Sequence, residues 1–347
     1  MRTVMPIIGL VLAASACDDG LPSATKVTGF RVLAVRAEPP EVAPGDSVAL
    51  DALMVDPSGA VPDSIKWYAC IVADTGTGFF GGSSETQTSG GDGTPLPTDG
   101  YGGSCEKRAL AHEPFTLELG EGPTATLPVP ADLFDTDAAL KAAYGLADDI
   151  TIPAEVSAGL LGIAGVNYTV SMVTDIGGEH LETMKRVNVS LDSLLPDNER
   201  NLNPVDLTLH IAAVADHVTP QAHTDPASGG HCFLDPSFVV APDGRYRLTP
   251  VNVPDPQASY VVLLAGSTSS GQAFDLQTIQ ETYFYSFFST VGGLSKEISK
   301  APGEPACDWH IPADATGPVD LWVVVRDGRG GVAWCHEALA VAPAATP

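Results

Sequence analysis

The chain has 347 residues, and 17 Lys and Arg against 43 Asp and Glu give it a formal net charge of −26 at pH 7. A field of that sign repels phosphate backbones, which excludes nucleic acid as a partner. Apolar residues make up 44% of the chain, enough for packed cores, and 35 Gly and 29 Pro are typical of short strands joined by many turns. The length therefore fits two ordinary domains of mainly β structure.

The first 16 residues have the pattern of an export signal. Arg2 supplies a positive charge, and residues 6–14 form an apolar stretch too short to span a bilayer. Small residues at 14–16 stand directly before Cys17, and this run resembles a bacterial lipobox. The resemblance implies cleavage before Cys17, lipidation of that cysteine and anchoring in the cell envelope, with the choice of membrane left open. The alternative is an ordinary signal peptide cut after residue 16, with Cys17 merely adjacent.

Residues 17–26 are polar and turn-forming, as expected of a tether between a membrane and a folded body. A first domain is predicted over 27–194, beginning with three segments rich in branched residues. A proline-stiffened kink and a Pro-Gly-Asp turn precede the second of them. This order resembles strands A, B and C of a bacterial immunoglobulin-like domain, which implies a β-sandwich. The three predicted strands are 28–35, 47–55 and 65–72.

The segment 73–104 consists almost entirely of Gly, Ser, Thr, Pro and Asp, so it is predicted to be a loop insertion that buries no core. Cys70 and Cys105 bracket it. In an exported chain these two cysteines predict a disulfide. Closing a loop of this length stabilises the fold by about 4 kcal/mol in the chain-entropy estimate.

The rest of the first domain is predicted to contain one short helix and a closing hairpin. The helix covers 131–145, with a proline before it and Gly145 as its stop. Two alternating segments, 166–175 and 179–191, flank a Gly-Gly turn and predict an antiparallel pair.

A polar linker is predicted at 195–204, and a second domain at 205–342 repeats the plan of the first. Each half begins with a strand and a turn and ends with a long hairpin. The prediction is therefore two tandem immunoglobulin-like β-sandwich domains, and the whole resembles bacterial envelope lipoproteins with that architecture. The predicted strands of the second domain are 205–215, 245–253, 281–290, 319–326 and 332–341.

Three cysteines remain in the second domain. Cys335 begins the last strand, and Cys307 begins a short strand that should lie at the same end of the sandwich. Cys232 is placed in the connection between the first two strands, at the far end. Topology therefore favours a Cys307–Cys335 disulfide with Cys232 unpaired, while pairings through Cys232 stay open.

One long loop carries the side chains best suited to a metal ion: His217, His223, His231 and Cys232. Their spacing matches no known ligand pattern, so no metal is assigned and they stay weak candidates. No nucleophile elbow, phosphate-binding loop or dinucleotide fingerprint occurs, so no catalytic residue is named and no cofactor is predicted.

Two further features lie in the second domain. Alternation places Tyr283, Tyr285 and Phe287 on one face of a strand and Phe284 and Phe288 on the other. One of these two faces is predicted to enter the core, and the other either covers a neighbouring domain or forms a binding patch. The turn at 326–331 is predicted to carry two arginines at an exposed hairpin tip.

These observations predict a non-enzymatic, lipid-anchored cell-envelope protein that supports or binds another protein or a surface polymer. Its membrane contact would be the lipid on Cys17. The alternatives are a metal-dependent or hydrolytic enzyme with an unrecognised site, and an adhesin for polysaccharide.

Overall fold

The structure is a computed structural model that describes residues 24–71, 104–144, 146–163, 165–191, 201–204, 207–214, 232, 238–251, 259–268 and 271–343. Within these residues the chain forms 19 strands and three short helices. None of these helices is long and apolar enough to cross a membrane. The helices are α1 (Cys105–Leu110), α2 (Ala138–Tyr144) and α3 (Ala154–Ile163).

The first eight strands are β1 (Arg31–Glu38), β2 (Glu41–Val42), β3 (Ser47–Val55), β4 (Ser64–Ile71), β5 (Thr116–Glu121), β6 (Thr124–Pro128), β7 (Val166–Ile176) and β8 (Glu179–Val189). They form two sheets, ordered β1-β3-β6 and β2-β8-β7-β4-β5. Both sheets contribute to one core, in which Leu50 of the first sheet and Trp67 and Met172 of the second are fully buried. The two sheets therefore pack face to face as a sandwich.

The remaining strands are β9 (Leu209–Ala213), β10 (Val239–Val240), β11 (Arg245–Pro250), β12 (Ser259–Thr268), β13 (Gly271–Gln280), β14 (Tyr283–Ser289), β15 (Gly293–Leu294), β16 (Ile298–Ala301), β17 (Cys307–His310), β18 (Pro318–Arg326) and β19 (Val332–Val341). Two sheets, β10-β19-β18-β14-β16 and β15-β17-β11-β9, enclose a second core around Phe287 and Trp309. The strands β12 and β13 pair with each other as a two-stranded ribbon inserted before β14.

The strand order identifies both sandwiches as immunoglobulin-like. In each, a short early strand (β2 or β10) pairs in parallel with the last strand, as strand A′ pairs with strand G. The first sandwich then has the sheets A-B-E and A′-G-F-C-C′, and the second has A-B-E-D and A′-G-F-C-C′. The predicted fold class, mainly β with two tandem immunoglobulin-like sandwiches, is confirmed.

Several predicted elements differ from the observed ones in their bounds. The strands β3 and β19 have the predicted bounds, whereas β1 lies three residues further along because its pairing with β3 continues to Glu38 opposite Ala49. Of the predicted helix 131–145, only Ala138–Tyr144 is helical. The preceding residues form turns, and the backbone N–H of Ala138 donates to the Thr136 hydroxyl. The helices α1 and α3 were not predicted.

The predicted Cys70–Cys105 disulfide is confirmed, with the two Cα atoms 5.4 Å apart. The predicted Cys307–Cys335 disulfide is wrong. Cys335 is bonded to Cys232, with the Cα atoms 4.9 Å apart, and Cys307 is a buried free thiol.

The path of the chain around β9 explains the pairing of Cys232. The backbone N–H of Leu209, the first residue of β9, donates to the carbonyl of Cys232 at 2.9 Å, so the chain returns to the start of β9. That start pairs with Pro250 at the end of β11, the end of the sandwich that also holds the β18–β19 turn. Cys232 therefore lies beside the beginning of β19, and not at the far end.

The disulfide assignment predicts unequal effects of removing cysteines. The double variant Cys232→Ser/Cys335→Ser should lose about 2–5 kcal/mol of unfolding free energy in urea, since the bond closes a long loop. The control Cys307→Ser should lose less, because the Ser295 hydroxyl lies 3.7 Å from that sulfur and offers a hydrogen-bonding partner. A non-reducing peptide map that joins residues 307 and 335 would contradict the assignment.

Candidate functional site: the junction between the two sandwiches

The two sandwiches share an apolar interface. Val27, Leu33 and Val55 of the first half pack in one buried cluster with Trp322 and Val332 of the second. The outer face of the β1-β3-β6 sheet thus lies against the sheet that contains β18 and β19. Phe288 packs against the same cluster, so the second face of the aromatic strand β14 covers the neighbouring domain. The face that enters the core is the one formed by Tyr283, Tyr285 and Phe287, which are buried.

The segment before β1 also contributes to this interface. The backbone N–H of Val27 donates to the carbonyl of Ser289, and the N–H of Ser289 donates to the carbonyl of Thr25, each at 3.0 Å. These two hydrogen bonds attach residues 25–27 to Ser289, the last residue of β14. The chain therefore crosses the second sandwich before it begins the first.

The β18–β19 turn is not an exposed tip, and that prediction is wrong. Arg326 is 9% exposed and Asp327 1% exposed, because the turn inserts against the first sandwich. The Arg326 guanidinium donates to the Leu33 carbonyl at 3.0 Å and to the Ser286 hydroxyl at 3.2 Å. Arg326 thus contacts both halves of the chain.

Arg329 is held between one carboxylate from each half of the chain. Its guanidinium donates to Glu41 of β2 at 3.3 Å and to Glu281, before β14, at 3.2 Å. The side chains are 9%, 6% and 6% exposed, respectively. Water screens charges little at such depth, so these ion pairs require close partners on every side.

The carboxylates have additional donors. Glu41 accepts hydrogen bonds from the Ser190 hydroxyl at 2.7 Å and from the backbone N–H of Asn201 at 3.0 Å. Glu281 accepts one from the Tyr283 hydroxyl at 3.3 Å. The cost of burying each charge is therefore offset by more than one contact.

Asp327 shapes the turn that carries Arg329. Its Oδ1 accepts hydrogen bonds from the backbone N–H groups of residues 329, 330 and 331, at 2.8, 3.0 and 2.9 Å. Gly328 and Gly330 have φ values of 80° and 119°, which glycine adopts without strain. Burial raises the pKa of Asp327 to about 6, with backbone hydrogen bonds and Lys185 opposing and Glu281 adding to the shift.

Two polar residues fasten the turn to the first sandwich. The side chain of Lys185, on β8, is buried and its amine donates to the carbonyl of Gly330. The amide of Asn203 accepts from the N–H of Val332 at 2.7 Å and donates to the carbonyl of Ala37 at 2.6 Å. Asn203 thus joins β19 to β1 directly. We call Glu41, Lys185, Asn203, Glu281, Asp327 and Arg329 the junction cluster.

The predicted metal candidates are not brought together in the described part of the chain. His217, His223 and His231 lie outside the described residues, and Cys232 is in a disulfide, so it provides no thiolate. Among the described residues, no group of three His, Cys, Asp or Glu could hold a metal ion. Cys17 also lies outside the described residues, so its lipidation stays a prediction.

One set of side chains has the composition of a catalytic triad but the wrong connectivity. The Ser64 hydroxyl donates to one oxygen of Asp175 at 2.6 Å, and the other oxygen contacts His180 Nδ1 at 2.8 Å. These hydrogen bonds, the one from Ser64 foremost, lower the pKa of Asp175. The serine therefore bonds to the carboxylate and not to the imidazole, so the imidazole of this set does not act as its base.

A cleft of about 730 Å³ lies on the first sandwich, beside α3 and the turns that precede α2. Apolar and polar groups both contribute to its walls, so it offers apolar area and carboxylates to a partner. Its lining residues include Pro44, Phe134, Asp135, Thr136, Ile152, Ser157, Leu161 and Leu191. Elsewhere, each aromatic side chain whose exposure is described is buried or half-buried.

No family model matches this sequence, and no curated protein is similar to it. Among solved structures, the chain is similar to the fibronectin(III)-like modules of Clostridium thermocellum CbhA at 7% identity and a TM-score of 0.19, covering 89% of this chain and 94% of that one. It is similar to the two tandem V-type regions of VCBP3, a v-region-containing chitin binding protein, at 11% identity and a TM-score of 0.23, covering 90% and 100%. The D0-D1 domain of Intimin gives 9% identity and a TM-score of 0.18, covering 89% and 98%. At such TM-scores these likenesses carry no argument, and the fold assignment rests on the strand order.

The junction cluster predicts a large cost for removing its central cation. Arg329→Met should lower the free energy of unfolding by about 3–5 kcal/mol, since Glu41 and Glu281 would stay buried without their partner. Urea unfolding monitored by tryptophan fluorescence measures this change.

The matched control is Arg247→Met. That arginine pairs with Asp308 and Glu304 but is 52% exposed, so its loss should cost no more than about 1 kcal/mol. Equal effects of the two substitutions would show that the junction cluster does not hold the sandwiches together.

Proposed function

We propose that this protein is a non-enzymatic, lipid-anchored module of the bacterial cell envelope that supports or binds another protein or a surface polymer. The observation that carries the proposal is the junction, where apolar packing and the buried junction cluster fix one sandwich against the other. The buried polar side chains of the junction join the two sandwiches to each other. Such a role is expected in a module that holds the binding surfaces of its two domains at a fixed distance. The sequence pattern before Cys17 supports the anchored location.

The anchored location is tested with the variant Cys17→Ser. Loss of the lipid attachment site should move the protein from the membrane fraction to the soluble fraction of the cell, as measured by fractionation and immunoblotting. Cys307→Ser is the control, since it removes another cysteine and should leave the distribution unchanged. A Cys17→Ser protein that still requires detergent for extraction would contradict the anchor.

The binding role is tested by crosslinking the tagged, anchored protein in cells and identifying what it captures by mass spectrometry. We expect one dominant envelope protein or polymer, with crosslinks to fixed positions of one or both sandwiches. Arg329→Met should scatter or abolish those crosslinks, because it loosens the junction. The enzyme alternative would replace this proposal if the folded, lipidated protein captured nothing and held stoichiometric zinc that His223→Ala and His231→Ala removed.

A further inference from the structure

The two oxygens of Asp327 have different surroundings. Oδ1 accepts three backbone hydrogen bonds, whereas Oδ2 is buried and has no hydrogen-bonding partner among the described residues. An ionised carboxylate oxygen without a donor is costly in such a place, because burial removes the water that would otherwise solvate it. The site therefore accommodates one half of the carboxylate well and the other half poorly.

The space around Oδ2 contains another acceptor. Gly331 packs so closely here that an added Cβ would overlap both Asp327 Oδ2 and the carbonyl oxygen of Leu202. Two oxygens thus converge on one small volume. A carboxylate oxygen and a carbonyl oxygen repel each other, whereas a protonated carboxyl group donates a hydrogen bond to a carbonyl.

The charged and titratable groups around Asp327 come from each element packed against the turn. Glu281, before β14, raises the pKa of Asp327 and Lys185 on β8 lowers it, while Tyr283 on β14 interacts electrostatically with Asp327. Arg329 of the turn is itself paired with Glu281 and Glu41. The amine of Lys185 donates a hydrogen bond to the carbonyl of Gly330, and it lowers the pKa of Asp327 by less than burial raises it.

We propose that Asp327 is a proton-operated latch of the junction: one proton taken up on Oδ2 tightens the hold of the β18–β19 turn on the chain segment that links the two sandwiches. The protonated oxygen would donate to the carbonyl of Leu202, adding a bond between the turn and residues 201–204. Proton uptake would also end the repulsion between Asp327 and Glu281. The same turn positions Arg329, which contacts Glu41, and the Gly330 carbonyl, which contacts Lys185. A tighter turn would therefore strengthen both of these contacts with the first sandwich.

The direction of the pH dependence follows from the upward shift of this carboxyl group. Its pKa is about 6 in the folded protein, against an ordinary value of 3.8 for an aspartate exposed to water. The stabilising contribution is therefore complete below about pH 4 and is lost as the pH rises through about 6. This is the reverse of an ordinary salt-bridged carboxylate, which stabilises a protein as the pH rises.

The test compares the unfolding of the full-length chain and its Asp327→Asn variant in urea between pH 4.5 and 7.5. The asparagine keeps the acceptor on one side and places an N–H₂ donor towards Leu202, as the protonated carboxyl group would. At pH 7.5 the unfolding equilibrium constant of the variant should be smaller than that of the wild type. The ratio of the two unfolding equilibrium constants should change roughly 25-fold between pH 4.5 and 7.5, because this window covers only the part of the pKa shift that lies above pH 4.5.

The matched control is Asp175→Asn. The pKa of Asp175 is lowered from its ordinary value, so this carboxylate titrates below the window and the ratio of the unfolding equilibrium constants of wild type and Asp175→Asn should stay nearly constant. Amide hydrogen exchange at residues 329–332, corrected for intrinsic rates, should be slower at pH 5 than at pH 7.5 in the wild type and in Asp175→Asn, but not in Asp327→Asn. A constant ratio between wild type and Asp327→Asn across the window would overturn the proposal.

If Asp327→Asn does not fold, the wild type still decides the question. Titration of the Asp327 carboxyl carbon by nuclear magnetic resonance should give a midpoint well above 4, and a midpoint below 4 would overturn the latch. The latch does not depend on lipidation or on a binding partner, so its failure would leave the proposed function in place.

Discussion

The orientation of the two sandwiches depends on the burial of the Arg329 guanidinium between Glu41 and Glu281. Removing three charges from water costs several kcal/mol for each ion unless the geometry is close and every remaining hydrogen-bonding group is satisfied. Ser190, Asn201 and Tyr283 supply part of that satisfaction. A partly assembled cluster would be worse than an apolar one, so the contacts form together or not at all.

The buried junction limits which surfaces of the second sandwich are open to a binding partner. In immunoglobulin-like domains the loops at one end of the sandwich, including the F–G turn, are common binding surfaces. Here the F–G turn between β18 and β19 is occupied by the first sandwich. A partner must therefore use other surfaces, such as the cleft beside α3 or the edge strands, and the junction fixes how those surfaces are displayed.

Alternation and turn residues were sufficient to predict the main strands of both sandwiches, such as β3 and β19, because these strands bury apolar side chains in a core, whereas the ribbon β12–β13 and the short strands β2 and β10 were not predicted. The junction was harder to predict, since a Gly-rich turn has the same sequence whether water or another domain surrounds it. Arg329 and Glu41 are 288 residues apart, and no local pattern relates them. One sign was present: Lys185 shares a strand face with Val187 and Val189, where a lysine is out of place unless it has a buried partner.

The cysteines show a similar limit. Cys70 and Cys105 were paired correctly because they enclose a single loop of unusual composition. The pairing of Cys232 depended on where the chain returns after β9, and a short A′ strand beside β19 does not stand out in sequence. Topology by itself placed that cysteine at the wrong end of the sandwich.

In the lipid-anchored form proposed above, the hydrogen bonds of Thr25 and Val27 with Ser289 determine how long the tether from Cys17 to the folded protein can be. From Cys17 to Thr25 a fully extended chain spans roughly 28 Å at about 3.5 Å per residue. Ser289 ends β14, whereas the β18–β19 turn lies beside the start of that strand, roughly 20 Å further along it. In that form Ser289 would lie within roughly 28 Å of the lipidated cysteine, whereas the proton-sensitive turn could lie roughly 20 Å further from the bilayer.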